Sequence, residues 1–247
     1  MSITHRAIDQ PVSFTLDDGS PAARVEPVTL DLAKQHVRYL TTNEDDLILN
    51  MISAARMIAE EYTGRQIINA TWRLSLDRPP CHRTIELPRP PLAGDVVITY
   101  DDANGDPQTL DSSTYVVKDS FLSASAIDPY CRAGKIILNS GETWPMVNGE
   151  EGCFRIERTC GYGATPGDTP NALQSAIFLL VAHLHRNRSE IMEAKTRGGF
   201  QQIPLGAEAT LKPFKTFVRH PFGDRHEYFR HYLGYGDESR FFFGWGW

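Results

Sequence analysis

The 247-residue chain contains no apolar run of about eighteen residues, so no membrane-spanning helix is expected. Its first 24 residues are polar and carry Asp17-Asp18-Gly19-Ser20-Pro21 where a signal peptide would have its apolar core. Cysteine is sparse. Cys81, Cys131, Cys153 and Cys160 show neither Cys-x-x-Cys pairing nor the spacing of a zinc site, and reduced thiols in a cytoplasm-made protein are expected. The net charge of −6 leaves no excess of Lys and Arg for bulk capture of nucleic acid, although an acidic wall can surround DNA in loose, repulsive contact.

Catalytic signatures are missing as well. There is no Gly-x-Ser-x-Gly elbow, and no cysteine has a catalytic context. Gly161-Tyr162-Gly163-Ala164-Thr165-Pro166-Gly167 precedes a helix, but it lacks the Gly-Lys-Ser/Thr of a phosphate loop and the spacing of a dinucleotide turn. His183 and His185 lie two apart on a helix and so point apart, whereas helical ligand pairs need a spacing of three or four. His220, His226 and His231 have no acidic or thiol ligand at matching spacing. Asp45-Asp46 is explained by a helix N-terminus and Asp101-Asp102 by a hairpin turn. No enzyme activity, cofactor or metal is expected from these residues.

With 41% hydrophobic and 23% charged residues, the chain is in the globular range, and its length suits one elaborated domain or two small ones. Residues 1–25 read as an extended arm. Thr29 can cap a helix over about 29–40, in which Ala33, Val37 and Leu40 repeat at helical spacing. A second helix is predicted over 43–63, with Asn43 and Asp46 as its capping signal, Gly64 just past its end, and Leu47, Met51, Ala54, Ala55, Ile58 and Tyr62 on its apolar stripe.

From about 70 to 160 the period changes to two. Trp72, Leu74 and Leu76 alternate with polar residues, as do Ile85 and Leu87. Val96–Tyr100 leads into a turn through Asn104-Gly105, and further strands are predicted at 114–118, 135–138 and 153–159. Antiparallel pairing is expected, since no crossover helix intervenes. Leu87-Pro88-Arg89-Pro90-Pro91-Leu92 reads as a rigid bend between strands rather than as a polyproline ligand. A third helix is predicted over about 170–192, with Thr169 as its cap, Pro170 at its first position, and Leu173, Ala176, Ile177, Leu180, Val181 and Leu184 on its buried face. No solenoid-length repeat is present.

After Gly199 the composition shifts. Phe214, Phe217, Phe222, Tyr228, Phe229, Tyr232, Tyr235, Phe241, Phe242, Phe243, Trp245 and Trp247 crowd a segment interrupted by proline and glycine, with a short helix expected over 224–233. So many aromatic groups on a segment with no core of its own imply docking against a partner. The predicted class is α+β: a small bundle of three main helices, an antiparallel β insertion between the second and third, and an extended aromatic-rich C-terminal tail. The expected boundaries are 1–25 for the arm, 26–199 for the body and 200–247 for the tail.

The succession of Val28-Thr29-Leu30-Asp31-Leu32-Ala33-Lys34, the Leu-Pro-Arg-Pro-Pro-Leu block and Asn171-Ala172-Leu173-Gln174-Ser175-Ala176-Ile177-Phe178-Leu179-Leu180-Val181-Ala182-His183 resembles the head–tail connector (adaptor) family of tailed bacteriophages, over roughly Val25 to Phe214. The Tyr162-Gly163 turn before the third helix fits the same resemblance. It implies a virion protein at the head–tail junction, made and assembled in the host cytoplasm. Such a protein forms a ring of itself, usually of twelve subunits, beneath the portal protein, extends the DNA channel and offers its far side to stopper or tail proteins.

DNA would pass through in transient, non-specific proximity, and no membrane partner is implied. In that family the segment after the third helix reaches the portal, and Ile203–Phe214 resembles it here. Leu211, Phe214 and Phe217, then Phe241, Phe242, Phe243 and Trp245, are therefore the expected portal-binding residues. A chain ending at Gly199 is expected to fold, and the isolated protein to be largely monomeric until it meets the portal. The alternatives are a neck or stopper component one layer further out, a soluble carbohydrate- or peptide-binding module using exposed Trp and Tyr, and an enzyme with dispersed catalytic residues.

Overall fold

The computed structural model describes residues 11–16, 25–39, 41–118, 134–187 and 203–216. Strand β1 is Pro11–Leu16, and the helices α1 (Leu30–Val37) and α2 (Asp45–Thr63) come next. The β block comprises β2 (Ala70–Leu76), β3 (Thr84–Leu87), β4 (Leu92–Asp101), β5 (Pro107–Thr109), β6 (Tyr115–Lys118), β7 (Gly134–Leu138) and β8 (Phe154–Cys160). Helix α3 (Asn171–Arg186), helix α4 (Leu205–Leu211) and a 3-10 turn, Lys212–Phe214, close the described chain. None of the described helices is long and apolar enough to cross a membrane.

Among the described residues every pair of named strands is antiparallel, and no crossover helix lies between the strands of the β block. One sheet runs β1-β2-β8-β4-β5 and the other β3-β7-β6. They share an apolar core of Leu74, Leu76, Ile85, Leu87, Val96, Ile98, Ile136, Leu138, Phe154 and Ile156, and the Tyr115 hydroxyl ties them by donating to the Val96 carbonyl at 2.9 Å. Period two places these residues inward because successive side chains of a strand point to opposite faces. Strand β8 alternates strictly between buried and half-exposed positions.

A second core belongs to the helices: Ala33 of α1, Ile48, Met51, Ile52, Ala55 and Ala59 of α2, Leu173, Ala176, Ile177, Leu180 and Val181 of α3, and Ala207, Leu211 and Phe214 of the last segment. Among the described residues this core draws on four helices, where the sequence led us to expect three. Residues 203–216, grouped by composition with the tail, pack into this core, because the apolar positions Ala207, Leu211 and Phe214 share one side of a short helical segment.

Several local expectations need correction. Within the expected arm, residues 11–16 form a strand that adds to the edge of the larger sheet at β2. The N-cap of α2 is Glu44, without a side-chain cap bond, so the Asn43–Asp46 box does not form. Asp45 is instead held by Lys34 of α1 at 2.6 Å. The buried face of α2 is turned by about one position from the predicted stripe: Ile48 and Ile52 are buried, whereas Leu47 is exposed. Pro170 is the N-cap of α3, preceded by a turn in which Asp168 accepts from the Thr165 backbone at 2.9 Å and its hydroxyl at 2.7 Å. Those bonds hold the Asp168 carboxyl below its ordinary pKa, whereas the Thr169 hydroxyl is buried and caps nothing.

Thr29 and Gly64 do take their predicted places. The Thr29 hydroxyl accepts from the Leu32 backbone, and Gly64, at φ 67°, ends α2 in the left-handed conformation. The expected helix over 224–233 and the end of the third helix beyond residue 187 lie outside the described residues.

Candidate functional site

Asp101, Asp102, His183 and His185 each have a local partner, whereas His220, His226 and His231 lie outside the described residues. Asp101 pairs with Arg155 on the neighbouring strand β8. Asp102 accepts from the backbones of Asn104 and Asp106 at 2.8 and 3.1 Å, the arrangement of the β4–β5 turn. His183 contacts the Asn187 amide at 3.0 Å, and His185 lies 5.8 Å from the Tyr39 ring and 3.8 Å from the Glu44 carboxylate. Among the described residues, no group of three His, Cys, Asp or Glu side chains converges as a metal site.

The glycine turn before α3 is filled by protein. A Cβ at Gly161 would lie 2.5 Å from the Asn69 backbone, and one at Gly163 would lie 2.2 Å from the Asp168 side chain. Asn69 and Asp168 thus pack directly against these two glycines. Changing His183, His185, Asp101 or Asp102 singly to alanine is expected to alter stability by no more than about 1 kcal/mol, as measured by thermal denaturation.

The junction between the helical core and the larger sheet is more elaborate than motif reading anticipated. Arg56 of α2, buried, donates to Glu26 and Glu60, each at 2.9 Å. The other Glu60 oxygen accepts from the Gln66 amide at 2.8 Å and from the Ile67 backbone at 3.1 Å. Gln66 in turn accepts from the Trp72 indole at 3.0 Å. Burial pushes the Glu60 carboxyl up, with Arg56 opposing it, while Glu60 and Glu26 outweigh burial at Arg56 and raise the guanidinium. With three donors aimed at its two oxygens, Glu60 is best satisfied as the carboxylate, and the network welds the end of α2 to the start of β2.

The proline block is stitched into the same junction. The Pro90 carbonyl accepts from the Gln66 backbone at 3.2 Å and that of Pro91 from Gly161 at 2.9 Å. Arg89 pairs with Glu61 at 3.0 Å and stacks over Trp72, 5.0 Å from the ring centre. These contacts support its reading as a structural bend.

The structure places two of the expected portal contacts inside the subunit. Leu211 is fully buried and Phe214 is 5% exposed, both in the helical core. The same segment exposes Leu205, at 82%, on the turn that begins α4. Phe217, Phe241, Phe242, Phe243 and Trp245 lie outside the described residues. An open hollow of about 380 Å³ between α2 and α3 is lined by Leu47, Asn50, Met51, Ala54, Leu184 and Asn187. Leu47 belongs to the predicted apolar stripe, which would bury it, yet it is exposed at this hollow.

No protein-family model matches the sequence, and no curated protein matches it. The fold, however, has solved counterparts. It is similar to that of a chain in the neck of an empty gene transfer agent particle, with a TM-score of 0.65 and 20% identity over 84% of this chain and 97% of that one. A chain in the virion of the native gene transfer agent gives 0.63 at 20% identity, covering 83% and 96%. A chain in the native neck, computed with C12 symmetry, gives 0.62 at 20% identity, covering 84% and 97%.

Proposed function

We propose that this protein is a structural component of the neck of a tailed-phage-like particle. In this reading it forms the adaptor ring between the capsid portal and the stopper or tail, and extends the DNA channel. The observation that carries the reading is the likeness of its fold, over 84% of the chain, to a gene transfer agent neck chain. The order of the helical and proline motifs supports the same conclusion independently.

A ring of this kind is closed and heterologous, with one face of each subunit on a different face of the next. Twelve copies at −6 each carry on the order of −70 charges, so a lumen lined by acidic groups would let DNA slide where a basic one would hold it. The C-terminal segment serves as the docking element. Leu211 and Phe214 hold its base in the subunit, Leu205 is exposed beside them, and Phe217, Phe241, Phe242, Phe243 and Trp245 come after as aromatic anchors.

Particles assembled without the protein test this role directly. Electron microscopy is expected to show DNA-filled or emptied capsids with a bare portal. An adaptor layer still present, with only the next layer missing, would move the protein outward to the stopper position. Complete particles with normal tails would remove it from the neck altogether.

A further inference from the structure

We propose that the turn closing α2, Thr63 to Arg65, is a clasp that fixes the position and direction of the main chain at Thr216, the residue after which the aromatic segment 217–247 follows in sequence. The proposal rests on the docking role of the C-terminal segment and names the device that aims it.

A helix end leaves its last carbonyls without partners in the helix, and they are ordinarily met by water or by a glycine turn just past the end. Here they are met from a distant part of the chain. The Thr63 carbonyl accepts from the Thr216 backbone and from its hydroxyl, both at 2.8 Å, and the Gly64 carbonyl lies 3.2 Å from that hydroxyl. Gly64 is at φ 67°, and a Cβ there would lie 2.6 Å from the Thr216 hydroxyl oxygen, so the turn is shaped to the threonine that occupies it.

Arg65 closes the other side. It is fully buried, and its Nε donates to the Phe214 carbonyl at 2.6 Å while Nη1 donates to the Tyr162 hydroxyl at 2.8 Å. Its guanidinium also lies 5.8 Å from the centre of the Phe214 ring. Lys215, between the two held residues, reaches over the Tyr62 ring at 5.0 Å. Three successive residues are thus gripped by backbone, guanidinium and aromatic groups of one turn, immediately before the aromatic segment begins. The bonds to residues 214 and 216 restrain the main chain and fix its position and direction at Thr216. A docking segment whose first residue is already held loses less freedom on binding than one whose first residue is free.

The test uses the full chain carrying Thr216→Val or Gly64→Ala, and a variant ending at Thr216. Hydrogen exchange is read at the Thr216 amide, and attachment is read on particles assembled without the protein. The variant ending at Thr216 is expected to remain folded and to fail to attach. Thr216→Val and Gly64→Ala are expected to keep the helical core, to exchange faster at Thr216, and to attach about tenfold more weakly, the scale of one or two lost hydrogen bonds. If Gly64→Ala does not fold, Thr216→Val decides, since it keeps the shape and loses only the hydroxyl bonds. Unchanged exchange in Thr216→Val, or faster exchange with normal attachment, overturns the clasp and leaves the docking role standing. Normal attachment by the variant ending at Thr216 overturns the docking role and the clasp with it.

Discussion

A Phe214→Ala variant is expected to lose about 3–5 kcal/mol of stability, because the ring is removed from a filled core and the space is only partly recovered. Phe214 is 5% exposed and packs in the same cluster as Leu211, Ala207 and the inward face of α3. The loss also weakens the seat of the Arg65 guanidinium over the ring. In thermal denaturation the midpoint should fall by roughly 10 °C for a chain of this size. A chain ending at Gly199 extends the same logic. It removes Ala207, Leu211 and Phe214 together and uncovers apolar surface on α3, so the helical core should melt or aggregate, contrary to the expectation from sequence. A cooperative transition at the native temperature in that shortened chain would show that residues 203–216 are dispensable packing.

The second large effect is expected at Glu60. Replacing it with alanine leaves the Arg56 guanidinium, the Gln66 amide and the Ile67 backbone N–H without their shared acceptor at a buried site. Removing one partner of a buried ion pair typically costs about 3–5 kcal/mol, since the remaining charge is neither solvated nor compensated. Glu26 still accepts from Arg56, which sets the result toward the lower end. Glu60→Gln should cost clearly less, because an amide oxygen can still accept from Ile67. Urea denaturation of both variants provides the measurement. Equal losses in the two would show that charge, rather than the missing acceptors, dominates the site.

The β block was the most legible part of the sequence. Alternation along Leu74–Leu76, Ile85–Leu87 and Val96–Ile98 gave inward faces that the shared core of the two sheets uses, and Asn104-Gly105 marked its hairpin. Period two is a strong signal because a one-residue slip would exchange the buried and solvated faces. Helix α3 was equally clear, since Leu173, Ala176, Ile177, Leu180 and Val181 all enter the core. Strand β1 was not legible. Val12, Phe14 and Leu16 do alternate with Ser13 and Thr15, but the run is short and polar stretches surround it, and only its long-range pairing with β2 marks it as a strand. The α2 stripe was displaced because Leu47 and Ile48 are both apolar, and only the position of α3 decides which of them is covered.

By itself the sequence determined the order of α1, α2, the main strands of the β block and α3, the change of period between helical and β segments, the caps at Thr29 and Gly64, and the absence of a recognisable catalytic motif. These are local properties, set by side-chain spacing and backbone conformation within a few residues. Only the tertiary structure decided that Leu211 and Phe214 are core residues of the subunit, that Glu60 gathers three donors, and that Thr216 completes the end of α2. An aromatic residue carries the same apolar area whether it meets its own subunit or another. Composition can therefore demand that Phe214 be covered, but what covers it depends on where residues 149 positions apart in the chain, such as Arg65 and Phe214, are brought together.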